Sequence, residues 1–181
     1  MKKLVVSIVL SIITLSLSAQ HMTFMGVSMG KDIQSFTSQL SNKGLWVVAD
    51  GTHDNEYWVT MNGDFWEFEG VSVLVKAPFV DGGVSIVSVW DARGNRTTTK
   101  NLITSLDSKS GKHTIERDVI IRGDTKCKWH TNKGDVELWH TKYYDEGDGK
   151  CNIEISYIDY PQVNRKQLNQ TERTRARAND L

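Results

Sequence analysis

Gly26-Val27-Ser28-Met29-Gly30 fits G-x-S-x-G, the pattern that puts a serine nucleophile on a strained strand-to-helix turn beside backbone N–H donors. That chemistry needs a buried strand before the serine and a large parallel sheet around it. Once a leader ending at Ala19 is set aside, only six residues precede Gly26, and the chain is too short for such a sheet. The stretch therefore reads as a glycine-punctuated lead into a helix, and no catalytic residue is assigned. His53 lies among Asp50, Asp54 and Glu56, a set of metal-ligand types, but no second imidazole stands at H-x-H or H-x-x-x-H spacing. Asp, Asn and Gly also gather in turns for backbone reasons, so a solvated turn is expected there. Asp145-Glu146-Gly147-Asp148-Gly149 invites a calcium loop, yet its third position is glycine and its twelfth is Ser156 rather than glutamate. It reads as a hairpin turn. No metal and no cofactor is expected.

Cys127 and Cys151 are the only cysteines. In an exported protein an even pair is most simply a disulfide, and closing a loop of about 25 residues stabilises by roughly 3 kcal/mol. Zinc is the weaker alternative, because two cysteines without a C-x-x-C pair make a poor ligand set. A strict ladder of consecutive strands would separate the two cysteines by two strands, beyond disulfide reach, so the pairing requires a bulge or a different partner for the last strand.

Six tryptophans are many for 181 residues. Alternation along strands sets Trp58 opposite in facing to Tyr57 and Val59, Trp66 opposite to Phe65, and Trp139 opposite to Leu138 and His140. Trp58, Trp66 and Trp139 are the candidate binding anchors, flat apolar platforms for a protein surface or for stacking on sugars. Around the Asn132–Asp135 turn, Cys127, Trp129, Thr131, Val136, Leu138 and His140 share the inner face. Lys126, Lys128, His130, Glu137 and Trp139 share the outer one, so His130 and His140 point oppositely.

The elements that must position these residues begin with a leader. Lys2 and Lys3, an apolar run from Leu4 to Leu17, and Ser18-Ala19 before Gln20 describe a signal peptide over residues 1–19, with cleavage after Ala19. No cysteine lies near the cut, which argues against a lipid anchor. The run is short for a membrane span, so no stable membrane insertion of the mature chain is expected. The mature chain has 20 basic and 22 acidic residues, and this near-neutral balance gives no electrostatic case for nucleic acid. Arg165, Lys166, Arg173, Arg175 and Arg177 against Glu172 and Asp180 make residues 161–181 a basic polar tail.

Between leader and tail the pattern predicts one domain over 20–160. A helix over Asp32–Lys43 places Ile33, Phe36 and Leu40 at helical spacing and stops at Gly44. Strands follow at Leu45–Val48 and Tyr57–Met61, the latter closed by the hairpin signal Asn62-Gly63, then at Phe65–Phe68, Val71–Val75 and Val84–Trp90. A second helix over Thr97–Leu106 stops at Gly111. Strands at His113–Ile121, Lys126–Thr131, Val136–Tyr144 and Asn152–Tyr160 complete the plan. The expected class is α+β: two helix-then-antiparallel-strand units, about 22–95 and 96–160, with the helices covering one face of the sheet and a possible tandem duplication.

Phe24-x-Gly26-Val27-x-Met29, followed by Asp32, Phe36, Leu40 and Lys43-Gly44, with Tyr157-Ile158-Asp159 near the end, resembles a family of uncharacterised exported proteins of Gram-negative gut anaerobes. The closing Asp180-Leu181 fits that family's charged tails, whereas Ser110-Gly111 departs from its usual Tyr-Gly. The resemblance implies export and an α+β fold, with no known activity. The helix-plus-sheet plan also looks topologically like the beta-lactamase inhibitory protein and the small outer-membrane assembly lipoproteins. The functional expectation is an exported, periplasmic or secreted, non-enzymatic binding module with a protein or glycan partner in the cell envelope. An envelope structural or assembly protein is the alternative, and a small hydrolase a lesser one.

Overall fold

A computed structural model of the chain describes residues 21–54, 56–78, 82–94, 96–117, 125–142, 151–164, 167 and 171. Residues 1–19, read as a leader, residues 145–149, read as a turn, and most of residues 161–181, read as a basic tail, lie outside the described residues.

The described chain opens on a small hairpin, β1 (Thr23–Phe24) with β2 (Val27–Ser28), turned by Met25-Gly26. Helix α1 (Ile33–Ser41) follows. Asp32 caps it, its Oδ1 accepting from the Ser35 N–H at 2.8 Å. Ile33, Phe36, Thr37 and Leu40 are buried, and the chain leaves the helix through Gly44 at φ +98°. Strands β3 (Trp46–His53), β4 (Glu56–Phe65), β5 (Phe68–Ala77) and β6 (Ile86–Gly94) come next. Helix α2 (Arg96–Ser110) ends at Gly111, φ +84°, and is followed by β7 (Thr114–Arg117), β8 (Thr125–His130), β9 (Gly134–Lys142) and β10 (Cys151–Asp159).

All eight long strands join one antiparallel sheet in the order β3-β4-β5-β6-β10-β9-β8-β7. This corrects the expected α+β class built from two helix-then-strand units. The fold is mostly β, with few helices that are not parts of tandem units. The physical reason lies at the middle of the sheet. Strand β10 returns to pair with β6 from Ile158↔Ile86 to Cys151↔Gly94, so the ladder runs from edge to edge without a boundary.

Alternation gives the sheet two faces. Val59, Met61, Val71, Val73, Val75, Val87, Val89, Trp129, Leu138, Ile153 and Ile155 form the inner one, buried in one cluster with Phe36 and Leu40 of α1 and Leu102 and Leu106 of α2. The β1–β2 hairpin closes one end of this core. The Phe24 ring stacks on Phe65 at 5.2 Å and meets Tyr157 edge-on at 5.3 Å.

Two local readings change. Asp50-Gly51-Thr52-His53 continues β3 rather than turning. Asn62-Gly63 is not a hairpin turn but the interior of β4, whose turn is the two residues Trp66-Glu67 between the paired Phe65 and Phe68. Glycine is needed at 63 for another reason. A Cβ there would lie 2.8 Å from the Gly44 carbonyl oxygen, where the exit from α1 crosses the strand.

The expected Cys127–Cys151 disulfide is also corrected: Cys127 is a free, buried thiol. Cys127 pairs with Leu138, and Leu138 with Ile155, which puts Cys151 two strands away and four residues further along. At about 4.8 Å per strand and 3.4 Å per residue this separation is more than twice the reach of the bond.

Candidate binding face

Four of the six tryptophans, Trp46, Trp58, Trp90 and Trp139, lie on the outer face of the sheet, and register explains how. Trp46 of β3 pairs with Asn62, Asn62 with Ser72, and Ser72 with Trp90 of β6. Between β6 and β10 a bulge sets Trp90 and Asp91 against the single residue Glu154. Glu154 pairs with Trp139 of β9, and Trp139 with Lys126 of β8. One row crossing seven strands thus carries three tryptophans, 58%, 43% and 37% exposed in the order Trp46, Trp90, Trp139. Trp90 and Trp139 stand two strands apart, about 10 Å, and Trp46 about 14 Å from Trp90 on the other side.

Two of these indoles are held in place. Trp90 Nε1 donates to Glu154 Oε1 at 3.0 Å. Lys126 Nζ sits 4.7 Å from the centre of the Trp139 ring, over its face. Lys126 is tied in turn to Glu137 Oε2 at 3.0 Å, and Glu137 Oε1 to Lys128 at 3.1 Å. Lys128 reaches Asp135 Oδ2 at 2.8 Å, while Asp135 Oδ1 also accepts from His130 Nδ1 at 2.8 Å and the Tyr160 hydroxyl at 2.6 Å.

Burial of Asp135 pushes its carboxyl up, but the hydrogen bonds from Lys128, Tyr160 and His130 outweigh this and hold it below its ordinary value. The Asp135 hydrogen bond, chiefly, raises the Lys128 ammonium above its usual range. The result is a fixed ladder of charges beside the tryptophan row.

The sequence-derived anchors separate. Trp139 belongs to the row. Trp58 also faces outward, two rows away with the Thr60 row between, half-buried with its indole over Gly51, where an added Cβ would meet the ring at 2.8 Å. Trp66 is not on the face at all. It occupies the β4–β5 turn at φ +55°, against Phe68. Trp46 and Trp90 were not singled out from sequence. For Trp90 the signal was present in the alternation Ile86-x-Ser88-x-Trp90, but the bulge that aligns it with Glu154 has no sequence mark. The facing expected for β8 and β9 is observed: Cys127, Trp129, Val136 and Leu138 are buried, and Lys126, Lys128, His130, Glu137 and Trp139 face outward.

The other chemical candidates disperse. The Ser28 hydroxyl has, among the described residues, only the Gly30 N–H as a partner, at 3.4 Å. His53 is 81% exposed beside Asp54, while Asp50 accepts from the Tyr57 hydroxyl at 2.6 Å. Among the described residues no three His, Cys, Asp or Glu side chains converge as a metal site, and no helix is long and apolar enough to cross a membrane. No protein-family model, curated protein or solved structure matches the chain, so the function is argued from the geometry of this face.

Proposed function

We propose that the chain is an exported, non-enzymatic binding module that engages a protein or glycan of the cell envelope through the outer face of its sheet. The observation that carries this reading is the row Trp46–Trp90–Glu154–Trp139. Exposed indoles are enriched where partners bind, because a large rigid side chain contributes area at little cost in conformational entropy. Here the Glu154 hydrogen bond and the Lys126 ammonium restrain two of them before any partner arrives, which lowers the ordering cost of association. Indoles spread over a sheet also suit stacking on sugar rings, with Glu154 and Lys126 as polar groups for hydroxyls. Export rests on the charged, apolar and small-residue pattern of residues 1–19. The isolation of Ser28 and His53 from catalytic partners supports a binding role over a hydrolytic one.

The test is retention from the native envelope fraction, and on envelope polysaccharide gels, by the parent chain and by a Trp90→Ala/Trp139→Ala variant that melts with the parent. A partner held by the parent and released from the variant, a loss of about 2 kcal/mol or some 30-fold in affinity, supports the proposal. Equal retention by both overturns it.

A further inference from the structure

Away from the outer face, a cavity of about 510 Å³ opens between the β1–β2 hairpin, the end of α2 and the turns β4–β5 and β8–β9. Its volume is that of a site for a small organic ligand. The floor is apolar: Met22, Phe65, Leu102, Leu106 and Val136 are all buried. The rim carries Lys109 and Lys133, and among the described residues no carboxylate lines the space. Among the described residues neither ammonium has an acidic partner.

Further residues shape this space. Met25 and Trp66, both in its wall, are the first residues of two-residue hairpin turns, and that turn geometry sets their positive φ, +49° and +55°. The half-buried Tyr157 side chain also lines the cavity, and burial raises its hydroxyl to a pKa of about 12. Lys133 is set at the rim by the Thr131 hydroxyl, which accepts from the Lys133 and Gly134 N–H groups at 3.2 and 3.1 Å. The carbonyl end of α2 also faces this region, but its half-charge is outweighed by two whole ammonium charges.

We infer that this cavity is a binding site for a small amphiphilic anion, an apolar body seated on the floor with a carboxylate-type head between Lys109 and Lys133. Trp66 closes over the apolar body, and Tyr157 forms part of the wall. This site is separate from the tryptophan row, and its failure would leave the outer-face proposal untouched.

The experiment is calorimetric titration of the mature chain with decanoate, decan-1-ol and decylammonium. One decanoate per chain is expected, bound about tenfold or more tighter than decylammonium. The exposed-rim variant K109E/K133E should melt with the parent and bind decanoate about tenfold more weakly or worse. Ser105→Trp, which fills the cavity from α2, should abolish uptake. The inference is overturned by equal affinity for the ammonium, by no uptake of decanoate by the parent, or by decanoate binding unchanged in either variant.

Discussion

His21 and Asp159, 138 residues apart, are joined by a 2.8 Å contact between His21 Nδ1 and Asp159 Oδ2, while the adjacent Met22 N–H donates to Oδ1 at 2.7 Å. Asp159 is wholly buried. The beginning of the described chain is thus fastened to the end of its last central strand. Phe24 and Tyr157 meet in the same corner, so Phe24-x-Gly26 and Tyr157-x-Asp159, which stand far apart in sequence, are the two halves of one packing joint.

Asp159→Ala should therefore cost about 2–3 kcal/mol, because it strands a buried N–H and removes a charged acceptor. Urea unfolding should show a lower midpoint with an unchanged slope. A midpoint equal to the parent's would mean that the joint contributes nothing to stability.

Gly63→Ala should cost about 1–3 kcal/mol through overpacking, since the new methyl meets the backbone oxygen of Gly44, which cannot rotate away. Gly70→Ala makes the comparison. Gly70 also has a positive φ, +63°, but open space around its Cα, so only about 1 kcal/mol of backbone strain is expected there. Thermal melts of the two variants should rank Gly63→Ala below Gly70→Ala.

These glycines show what the sequence conveys and what it does not. The Asp32 cap, the spacing of Ile33, Phe36 and Leu40, and the stop at Gly44 are local signals, and α1 is legible from them. Asn62-Gly63 carries a strong local turn signal, yet it lies inside β4 because a crossing from another part of the chain demands the glycine. Strand β10 pairs with β6 across α2 and three strands, and no local pattern encodes that choice, which is why one continuous sheet was not foreseen. The facing of Trp139 follows from alternation alone. The alignment of Trp46, Trp90 and Trp139 depends on five strand registers and a bulge, information that exists only in the fold.

Cys127 should behave as a buried thiol. Burial, helped by the charge of Asp107, pushes it above its ordinary value and keeps it protonated. A maleimide reagent should label Cys127 in unreduced, unfolded protein and only slowly in native protein. Reduction should leave the melting temperature unchanged, whereas loss of a native disulfide would lower stability by about 2–5 kcal/mol. An unreactive Cys127 in the unfolded, unreduced chain would contradict the strand register itself.

Acid should weaken the charge ladder at Asp135. Its carboxyl is depressed in the folded state, so its stabilising contribution is complete above the unfolded value, near 4, and is lost as pH falls through the folded value. Lys128 has the opposite sign: its raised value makes its contribution present below about 10.4 and lost as pH rises through the folded value. Lys128 itself therefore does not titrate in the acid range, and the group lost there is Asp135. Asp135→Asn should flatten the dependence of the urea midpoint on pH between about 5 and 2. A variant whose midpoint falls with acid as steeply as the parent's would place the titrating group elsewhere.

An alanine scan of the tryptophans should divide them by face. Trp129 is fully buried, and its Nε1 donates to Asp107 at 2.9 Å. Trp129→Ala should cost about 3–5 kcal/mol by leaving a cavity under α2. Trp46, Trp90 and Trp139 leave no internal void when cut, so each should lower stability by under about 1 kcal/mol while acting on partner affinity. Trp58 lies between these cases, because removal of its indole uncovers Gly51 on the edge strand, and about 1–2 kcal/mol is expected. Melts of the five variants separate core from surface before any partner is in hand. If Trp90→Ala and Trp139→Ala melt as low as Trp129→Ala, the two indoles are structural props of the sheet, and the row is not a binding surface.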